Sequence, residues 1–178
     1  LPYRLNADLD AAGNLHLANN GTQGAVLRIR QDGIARHYTL ASGAEMTVAI
    51  KHHGRQTVTV HGPNGFFRQF EGIPLPVASL RHDPPRDLIG LSFQNLNRTA
   101  RTARIVDAYA TAVQTMQIPP RQTIETLWPT TTADYWYDLT IRDPHHPHAR
   151  IQFAGHVENG RPSRTDPHIA TSQMQQPQ

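Results

Sequence analysis

The chain has 178 residues, no cysteine, and 17 basic against 14 acidic residues. The lack of cysteine excludes disulfides and thiolate metal sites, and no apolar run approaches the ~20 residues that a membrane-spanning helix requires. The basic residues are spread singly, without a basic tract or an interleaved aromatic platform, so we do not expect nucleic acid as a partner.

Short runs with apolar residues at alternate positions recur along the chain, separated by turns rich in Gly, Pro and Asn. This period-2 pattern is typical of half-buried strands. In the first part of the chain it predicts strands at 3–9, 14–19, 24–30, 36–41, 45–51, 56–61 and 66–71. In the second part it predicts strands at 88–95, 101–109, 114–118, 122–127, 135–142 and 149–157. Six or seven short strands in each part favour an all-β fold of small antiparallel β-sandwiches, with a closed barrel as the alternative.

The order of these elements in the first half of the chain recurs in the second half. Four segments correspond, and their separation increases only from 76 to 83 residues. The corresponding segments are 15–21 with 91–97, 37–43 with 115–121, 56–63 with 137–144, and 69–72 with 152–155. The repeat predicts two tandem β-sandwich domains of about 80 residues each.

The domain boundaries follow from composition. We expect the first domain at residues 1–72 and the second at residues 88–162. Residues 73–87 contain four prolines, and because proline offers no backbone donor to a central ladder, this segment is expected to be a linker. Residues 163–178 are polar and rich in Gln and Pro, which predicts a disordered tail.

Histidines are frequent and fall partly into two groups. The groups are His52 with His53, and His145 with His146 and His148. Zinc sites use ligands at a fixed spacing on rigid elements, whereas these histidines lie in turns, and the second group is interrupted by proline. We therefore expect solvated loop residues rather than a metal site.

Asp8 and Asp10, followed by Gly13, have some features of a calcium loop, which needs clustered carboxylates and a glycine at a sharp turn. No distal glutamate follows them, and a hairpin turn accounts for the glycine. No Gly-x-Ser-x-Gly elbow or glycine-rich phosphate loop occurs either. We expect no catalytic, cofactor or metal site in this chain.

Phe70 and Phe153 occupy matching positions, each followed two residues later by glycine. We expect both rings to fill the core, with ligand stacking as the alternative. Arg68 and Arg150 precede them and are expected to lie across the strand surface with the stem buried and the charged head in water.

A second group of aromatic residues is concentrated in the second half of the chain. Its members are Trp128, Tyr135, Trp136 and Tyr137. We expect most of this group to lie in the core, and an exposed patch facing lipid or sugar is the alternative.

Residues 60–72 read VHGPNGFFRQFEG, which resembles the Gly-Pro-Asn-Gly-Phe-x-Arg-x-Phe-x-Gly motif of the C-terminal domain of bacterial phosphocholine-type phospholipases C. The second half departs from this motif and reads DPHHPHARIQFAG at 143–155, two residues longer. It continues as GHVENGRPSRTDP at 155–167, which is similar to the closing segment of the family. The positions that match the family motifs are Gly62, Pro63, Asn64, Gly65, Phe66, Arg68, Phe70, Gly72, Phe153, Gly155, Gly160, Pro162, Asp166 and Pro167.

The resemblance implies an indirect role. In this family the domain occurs twice after a large metal-dependent catalytic domain, which hydrolyses phosphatidylcholine or sphingomyelin, and none of the catalytic residues of that domain lies in this chain. Enzymes of the family are exported, which implies a periplasmic or secreted location. The first residue is Leu rather than Met, so we expect a piece of a longer protein.

The resemblance leaves two functions for the chain. It is expected to be a non-catalytic accessory region that helps the enzyme to engage a membrane or its substrate. The alternative is a structural or export-related buttress of the catalytic domain with no ligand of its own, and glycan binding is a third reading. The partners implied are the catalytic domain of the same polypeptide and, in the first case, a phospholipid surface.

Overall fold

The computed structural model describes residues 1–50, 56–72, 76–110, 112–162 and 164–166. Within these ranges the chain forms fourteen strands and two short 3-10 turns, Pro84–Arg86 and Thr131–Ala133. The first seven strands are β1 Leu5–Leu9, β2 Asn14–Asn19, β3 Ala25–Gln31, β4 Ile34–Leu40, β5 Ala44–Ala49, β6 Thr57–His61 and β7 Phe67–Glu71. The second seven are β8 Val77–Asp83, β9 Leu88–Gln94, β10 Arg101–Asp107, β11 Val113–Ile118, β12 Thr123–Pro129, β13 Trp136–Asp143 and β14 His146–His156.

These strands form three sheets in which all pairs are antiparallel, so the prediction of an all-β antiparallel sandwich fold is confirmed. Two sheets have three strands each, in the orders β1-β2-β5 and β12-β9-β8. The third has eight strands in the order β11-β10-β13-β14-β7-β6-β3-β4. Strands β1–β7, here called the first unit, and β8–β14, the second unit, contribute to these sheets in the same pattern.

The two units join edge to edge in both layers of the sandwich. In the large sheet β7 pairs with β14, with Phe70 opposite Ile151 and Arg68 opposite Phe153. In the other layer the outer strands β1 and β8 of the two small sheets lie in contact. The result is one continuous two-layer structure with a seam between the units.

The core forms because each strand points alternate side chains between the layers. In β1, for example, Leu5, Ala7 and Leu9 are buried while the residues between them are half-buried. Phe70 and Phe153 meet at the seam with ring centroids 6.3 Å apart in an edge-to-face arrangement. Both rings are fully buried, so the expectation that they fill the core is confirmed.

A buried asparagine closes the same corner in each unit. Asn19 donates from Nδ2 to the backbone oxygens of Gln23, Leu40 and Ala41, and its Oδ1 accepts from the backbone N–H of Gly21. Asn95 makes the equivalent bonds to Thr99, Ile118, Pro119 and Asn97. Both asparagines are completely buried, so each tethers the end of one sheet to the other layer without leaving its amide unpaired.

The prediction that residues 73–87 form a linker outside any ladder is wrong for most of the segment. Strand β8 pairs with β9 along its whole length, from Val77 opposite Gln94 to Asp83 opposite Leu88. Pro76 comes immediately before the strand and Pro84 immediately after it, so no ladder donor is lost. The second unit therefore begins within the segment and has seven strands, one more than the sequence predicted.

The prediction of a disordered tail from residue 163 does not hold for residues 164–166. The backbone oxygen of Arg164 accepts a 2.9 Å hydrogen bond from Nε1 of Trp136, and the carboxylate of Asp166 accepts one of 2.8 Å from the hydroxyl of Tyr109. These bonds attach this part of the tail to the second unit. Residues 163 and 167–178 lie outside the described residues.

Candidate functional site

The centre of the seam holds a completely buried arginine. Arg68 points into the core because it alternates along β7 with the half-buried Phe67 and Gln69. Its Nη1 donates to the backbone oxygens of Phe67 and Ala154 at 2.9 Å, and its Nη2 donates to the hydroxyl of Tyr137 at 3.1 Å. The prediction that the head of Arg68 lies in water is therefore wrong, because pairing with β14 covers the strand that carries it.

Aromatic rings surround the guanidinium of Arg68. Its central carbon lies 4.3 Å from the ring centroid of Phe66, 5.2 Å from that of Phe153 and 5.7 Å from that of Tyr137. No carboxylate of the described residues lies within ion-pair distance of it, and its Nε has no partner among them. Carbonyl oxygens and ring faces thus offset the cost of burying the charge.

The hydrogen-bond chain continues from Arg68 through Tyr137 to His82. Arginine carries only donors, so the Tyr137 hydroxyl accepts from Arg68 and its own hydrogen is free for Nε2 of His82, 2.8 Å away. His82 is then neutral, with its proton on Nδ1. Burial lowers the pKa of His82 to about 3, and the positive charges of Arg68 and Arg4 act in the same direction. Burial also raises the pKa of Tyr137, although Arg68 opposes that shift.

Asp8 lies on the β1 side of the seam, and Asp10 lies in the turn that follows. Burial raises the pKa of Asp8, with opposition from Arg68, from Asn6 and from the backbone N–H of Leu80 on β8. For Asp10, burial alone would raise the pKa, but several hydrogen bonds, led by that from the backbone N–H of Asn14, together lower it to about 2. Asp8 therefore belongs to the seam, whereas Asp10 stabilises a hairpin turn.

The Gly-Pro-Asn-Gly-Phe motif forms the tight turn between β6 and β7. The N–H of Gly62 donates to the oxygen of Phe66 at 2.9 Å, and Asn64 and Gly65 have φ values of +54° and +70°. A Cβ on Gly65 would lie 2.7 Å from Cζ3 of Trp136, so the ring of the second unit packs directly on this turn. Pro63 lies inside the turn and accepts from the N–H of Phe66.

The closing segment of the second unit reaches back to this turn. Asn64 donates from Nδ2 to the carboxylate of Glu158 at 3.0 Å. A Cβ on Gly155 would lie 2.9 Å from the hydroxyl of Tyr137, and a Cβ on Gly72 would lie 2.6 Å from the backbone oxygen of His148. Both glycines therefore allow close approach at the seam.

The remaining motif positions lie farther from the seam. Gly160 and Pro162 are exposed. Asp166 is bonded to Tyr109, as described above, and Pro167 lies outside the described residues. The structure thus brings the motif residues Gly62 to Phe70, Phe153 and Gly155 together and leaves the last motif positions at the periphery.

The histidine group of the second unit lies in the hairpin between β13 and β14. His145 and His148 are exposed, and Nδ1 of His146 lies 3.1 Å from the carboxylate of Asp143. His52 and His53 lie outside the described residues. In the part of the chain that the structure describes, no group of three or more His, Cys, Asp or Glu residues is arranged to hold a metal ion.

Two of the four residues of the aromatic group are buried, so the expectation that most of the group lies in the core is met only in part. Trp128 donates from Nε1 to the carboxylate of Asp107 at 2.6 Å, and Tyr137 belongs to the seam. Tyr135 and Trp136 are half-buried. Arg150 is half-buried and bonds the side chain of Gln152 on its own strand.

The seam is suited to holding two units in one arrangement. Its polar groups are a buried cation, a buried phenol and a half-buried neutral histidine, joined in one hydrogen-bond chain, and this set lacks an activated nucleophile. Sequence reasoning missed His82, which lay in the presumed linker, and the pair Asn19 and Asn95. A signal for the asparagines was present, because each is the fifth residue of its segment in the first corresponding pair, 15–21 and 91–97.

Comparison with known proteins gives a family match over most of the chain. The family model described as bacterial phospholipase C, C-terminal domain, matches in two segments, residues 1–73 and 76–156. No helix among the described residues is long and apolar enough to cross a membrane.

Three curated bacterial proteins are similar to the chain. The non-hemolytic phospholipase C of Burkholderia pseudomallei is 36% identical over 124 residues, which cover 65% of this chain and 18% of that protein. The hemolytic and non-hemolytic phospholipases C of Pseudomonas aeruginosa are 29% and 27% identical, and each match covers 94% of this chain and 28% of the relative. The chain therefore spans less than a third of the length of these relatives.

Proposed function

Because the chain belongs to the family of bacterial phospholipase C C-terminal domains, we propose that it is the non-catalytic accessory region of an exported phospholipase C. The parent enzyme hydrolyses phosphatidylcholine or sphingomyelin in the periplasm or outside the cell. The chain helps that enzyme to engage the membrane that contains its substrate. Its two units are tandem copies of one domain.

One observation carries this proposal: the pairing of β7 with β14 merges the larger sheets of both units into a single eight-stranded sheet. Neighbouring strands lie ~4.8 Å apart, so the sheet presents a face roughly 34 Å wide. Exposed side chains point outward from both units on this face. A broad face of this kind can lie against a lipid surface without a deep pocket.

Co-sedimentation of the chain with vesicles tests the proposal. We expect the chain to sediment together with vesicles that contain choline lipids and to stay in the supernatant when no vesicles are present. Failure to bind any vesicle at low salt would contradict membrane engagement.

A second function, a buttress for the catalytic domain, is favoured by the buried network of Arg68, Tyr137 and His82, which makes the two units one rigid body. The two functions predict different effects on the activity of the parent enzyme when this region is removed. Removing this region should reduce hydrolysis of vesicle lipids but spare a soluble short-chain substrate if the region engages membranes. Equal loss on both substrates would favour the buttress.

A further inference from the structure

The outward side of the eight-stranded sheet carries an excess of positive charge. Outward positions alternate with the buried ones along each strand. Five arginines occupy them and are here called the basic face: Arg28, Arg30, Arg104, Arg142 and Arg150. Among the outward positions of these eight strands, only Glu71 and Asp138 carry a carboxylate.

Strand register places four of these arginines beside neutral or basic residues, and only Arg150 lies directly opposite a carboxylate, that of Glu71. Arg104 lies directly opposite Arg142, and Arg28 lies opposite both His37 and His61. Like charges on directly opposed residues destabilise a sheet. In the described part of the chain, none of Arg28, Arg30, Arg104 and Arg142 forms an ion pair.

The field of these arginines acts on a neighbouring side chain. Burial lowers the pKa of His61, and Arg28 and Arg30 lower it further because they disfavour a second positive charge beside them. His61 is exposed on the same outward side, one strand from both arginines. The positive charge is therefore concentrated locally and is not a property of net composition alone.

Among the described residues, the opposite layer carries no such excess. Outward positions of the two small sheets carry four carboxylates, Asp8, Glu45, Asp83 and Glu125, and one arginine, Arg81. Arg4 lines the same pocket as Asp8 and Glu45, and Arg86 lies 3.6 Å from Asp83, so the charges of this layer largely offset one another. A body with its positive charge on one side approaches an anionic surface with that side first, because that side is attracted.

We propose that the basic face binds the anionic surface of a phospholipid membrane, with Arg28 and Arg30 of the first unit and Arg104 and Arg142 of the second contacting lipid phosphates. This inference rests on the proposed membrane engagement and specifies its surface and its lipid charge. Guanidinium groups suit phosphate because their planar donors match its oxygens. Because the seam joins the two units, contact by the arginines of one unit keeps those of the other unit close to the surface, which raises the avidity of binding.

The test measures vesicle co-sedimentation with pure phosphatidylcholine and with phosphatidylcholine mixed with phosphatidylserine. We expect tighter binding to the mixed vesicles, weakened by salt because salt screens exposed charges. Replacing Arg28, Arg30, Arg104 and Arg142 by Gln should weaken binding to the mixed vesicles by about tenfold or more.

A matched variant removes the same charge elsewhere on the surface. It replaces Arg4, Arg81, Arg86 and Arg98, all exposed and all outside the basic face, by Gln. This variant should retain most of the affinity for mixed vesicles. Circular dichroism and thermal unfolding of both variants confirm that each retains the fold.

The outcomes separate this inference from the proposed function. Equal binding to neutral and mixed vesicles, or equal losses in the two variants, would overturn the inference about the basic face while membrane engagement stands. Absence of binding to any vesicle would overturn both. If the basic-face variant kept its vesicle affinity but lost association with the catalytic domain of the parent, the face would be a protein-docking surface and the lipid inference would be wrong.

Discussion

Arg68 of the first unit donates a 3.1 Å hydrogen bond to the hydroxyl of Tyr137 in the second unit, and both side chains are buried. The same guanidinium bonds backbone oxygens on both sides of the seam, at Phe67 and Ala154. A single side chain thus satisfies acceptors from both units, and its removal should lower the stability of the whole chain.

Replacing Arg68 by Met should lower the free energy of unfolding by about 3 kcal/mol, because three buried or half-buried acceptors lose their donor. Urea denaturation measures this change. Arg150→Met is the matched control, since Arg150 lies on the other side of the same sheet and is half-buried. Similar losses of unfolding free energy in Arg68→Met and Arg150→Met would show that the seam network contributes no more to stability than the contacts of Arg150.

The stability of the chain should fall as the pH decreases from about 6.5 towards 3, in part because of His82. Its pKa is about 3 in the folded state against an ordinary value of 6.5 for histidine, so between these values the unfolded chain binds the extra proton and acid favours unfolding. The contribution has a slope of up to about 1.4 kcal/mol per pH unit. Above pH 6.5 His82 contributes no pH dependence.

His82→Gln tests this contribution, because glutamine can still accept from Tyr137 but does not titrate. Between pH 6.5 and 3, we expect the unfolding free energy of His82→Gln to depend less steeply on pH than that of the unsubstituted chain. Other titrating groups cancel when the two curves are subtracted. His37→Gln, at an exposed position of β4, serves as the control, and an unchanged slope in His82→Gln would contradict the assignment.

Asn19→Ala and Asn95→Ala should cost similar amounts, about 1–3 kcal/mol each, because each leaves several buried backbone groups without a partner. Chemical denaturation of the two single variants measures both costs. Asn20→Ala, an exposed neighbour, should have little effect. A large difference between Asn19→Ala and Asn95→Ala would mean that the two corners are not energetically equivalent.

Gly65→Ala should destabilise the chain more than Gly43→Ala. Both glycines have φ of +70°, so the backbone strain of an added Cβ is the same. At Gly43 that Cβ meets nothing within 4 Å, whereas at Gly65 it meets the ring of Trp136 at 2.7 Å. Thermal unfolding measures the difference, and tryptophan fluorescence should change only in Gly65→Ala. Equal melting temperatures would indicate that the turn and Trp136 separate readily.

The strands were largely predictable from sequence, because alternation reports which face of a strand is buried. Phe70 and Phe153 were placed in the core for this reason. Strand β8 was missed because Pro76 and Pro84 flank it closely, and the pattern of prolines suggested a linker.

The seam was beyond prediction from local pattern. The position of Arg68 in β7 is one that faces the core, but its charged side chain is of a type that usually faces water. Only the pairing of β7 with β14 explains its burial. Its partner Tyr137 is 69 residues away along the chain, and His82, which bonds Tyr137, is 14 residues away. No spacing rule connects such residues, because the contact depends on how two complete units meet.

The pairing of β7 with β14 also bears on solubility. Taken alone, either unit would expose one of these strands along its length, with unpaired N–H and C=O groups that act as a template for another chain. When β7 pairs with β14, the backbone N–H and C=O groups of both edge strands are hydrogen-bonded within one molecule. The strands left at the ends of the large sheet are β4 and β11, so joining the two units has moved the unpaired edges of this sheet outward without increasing their number.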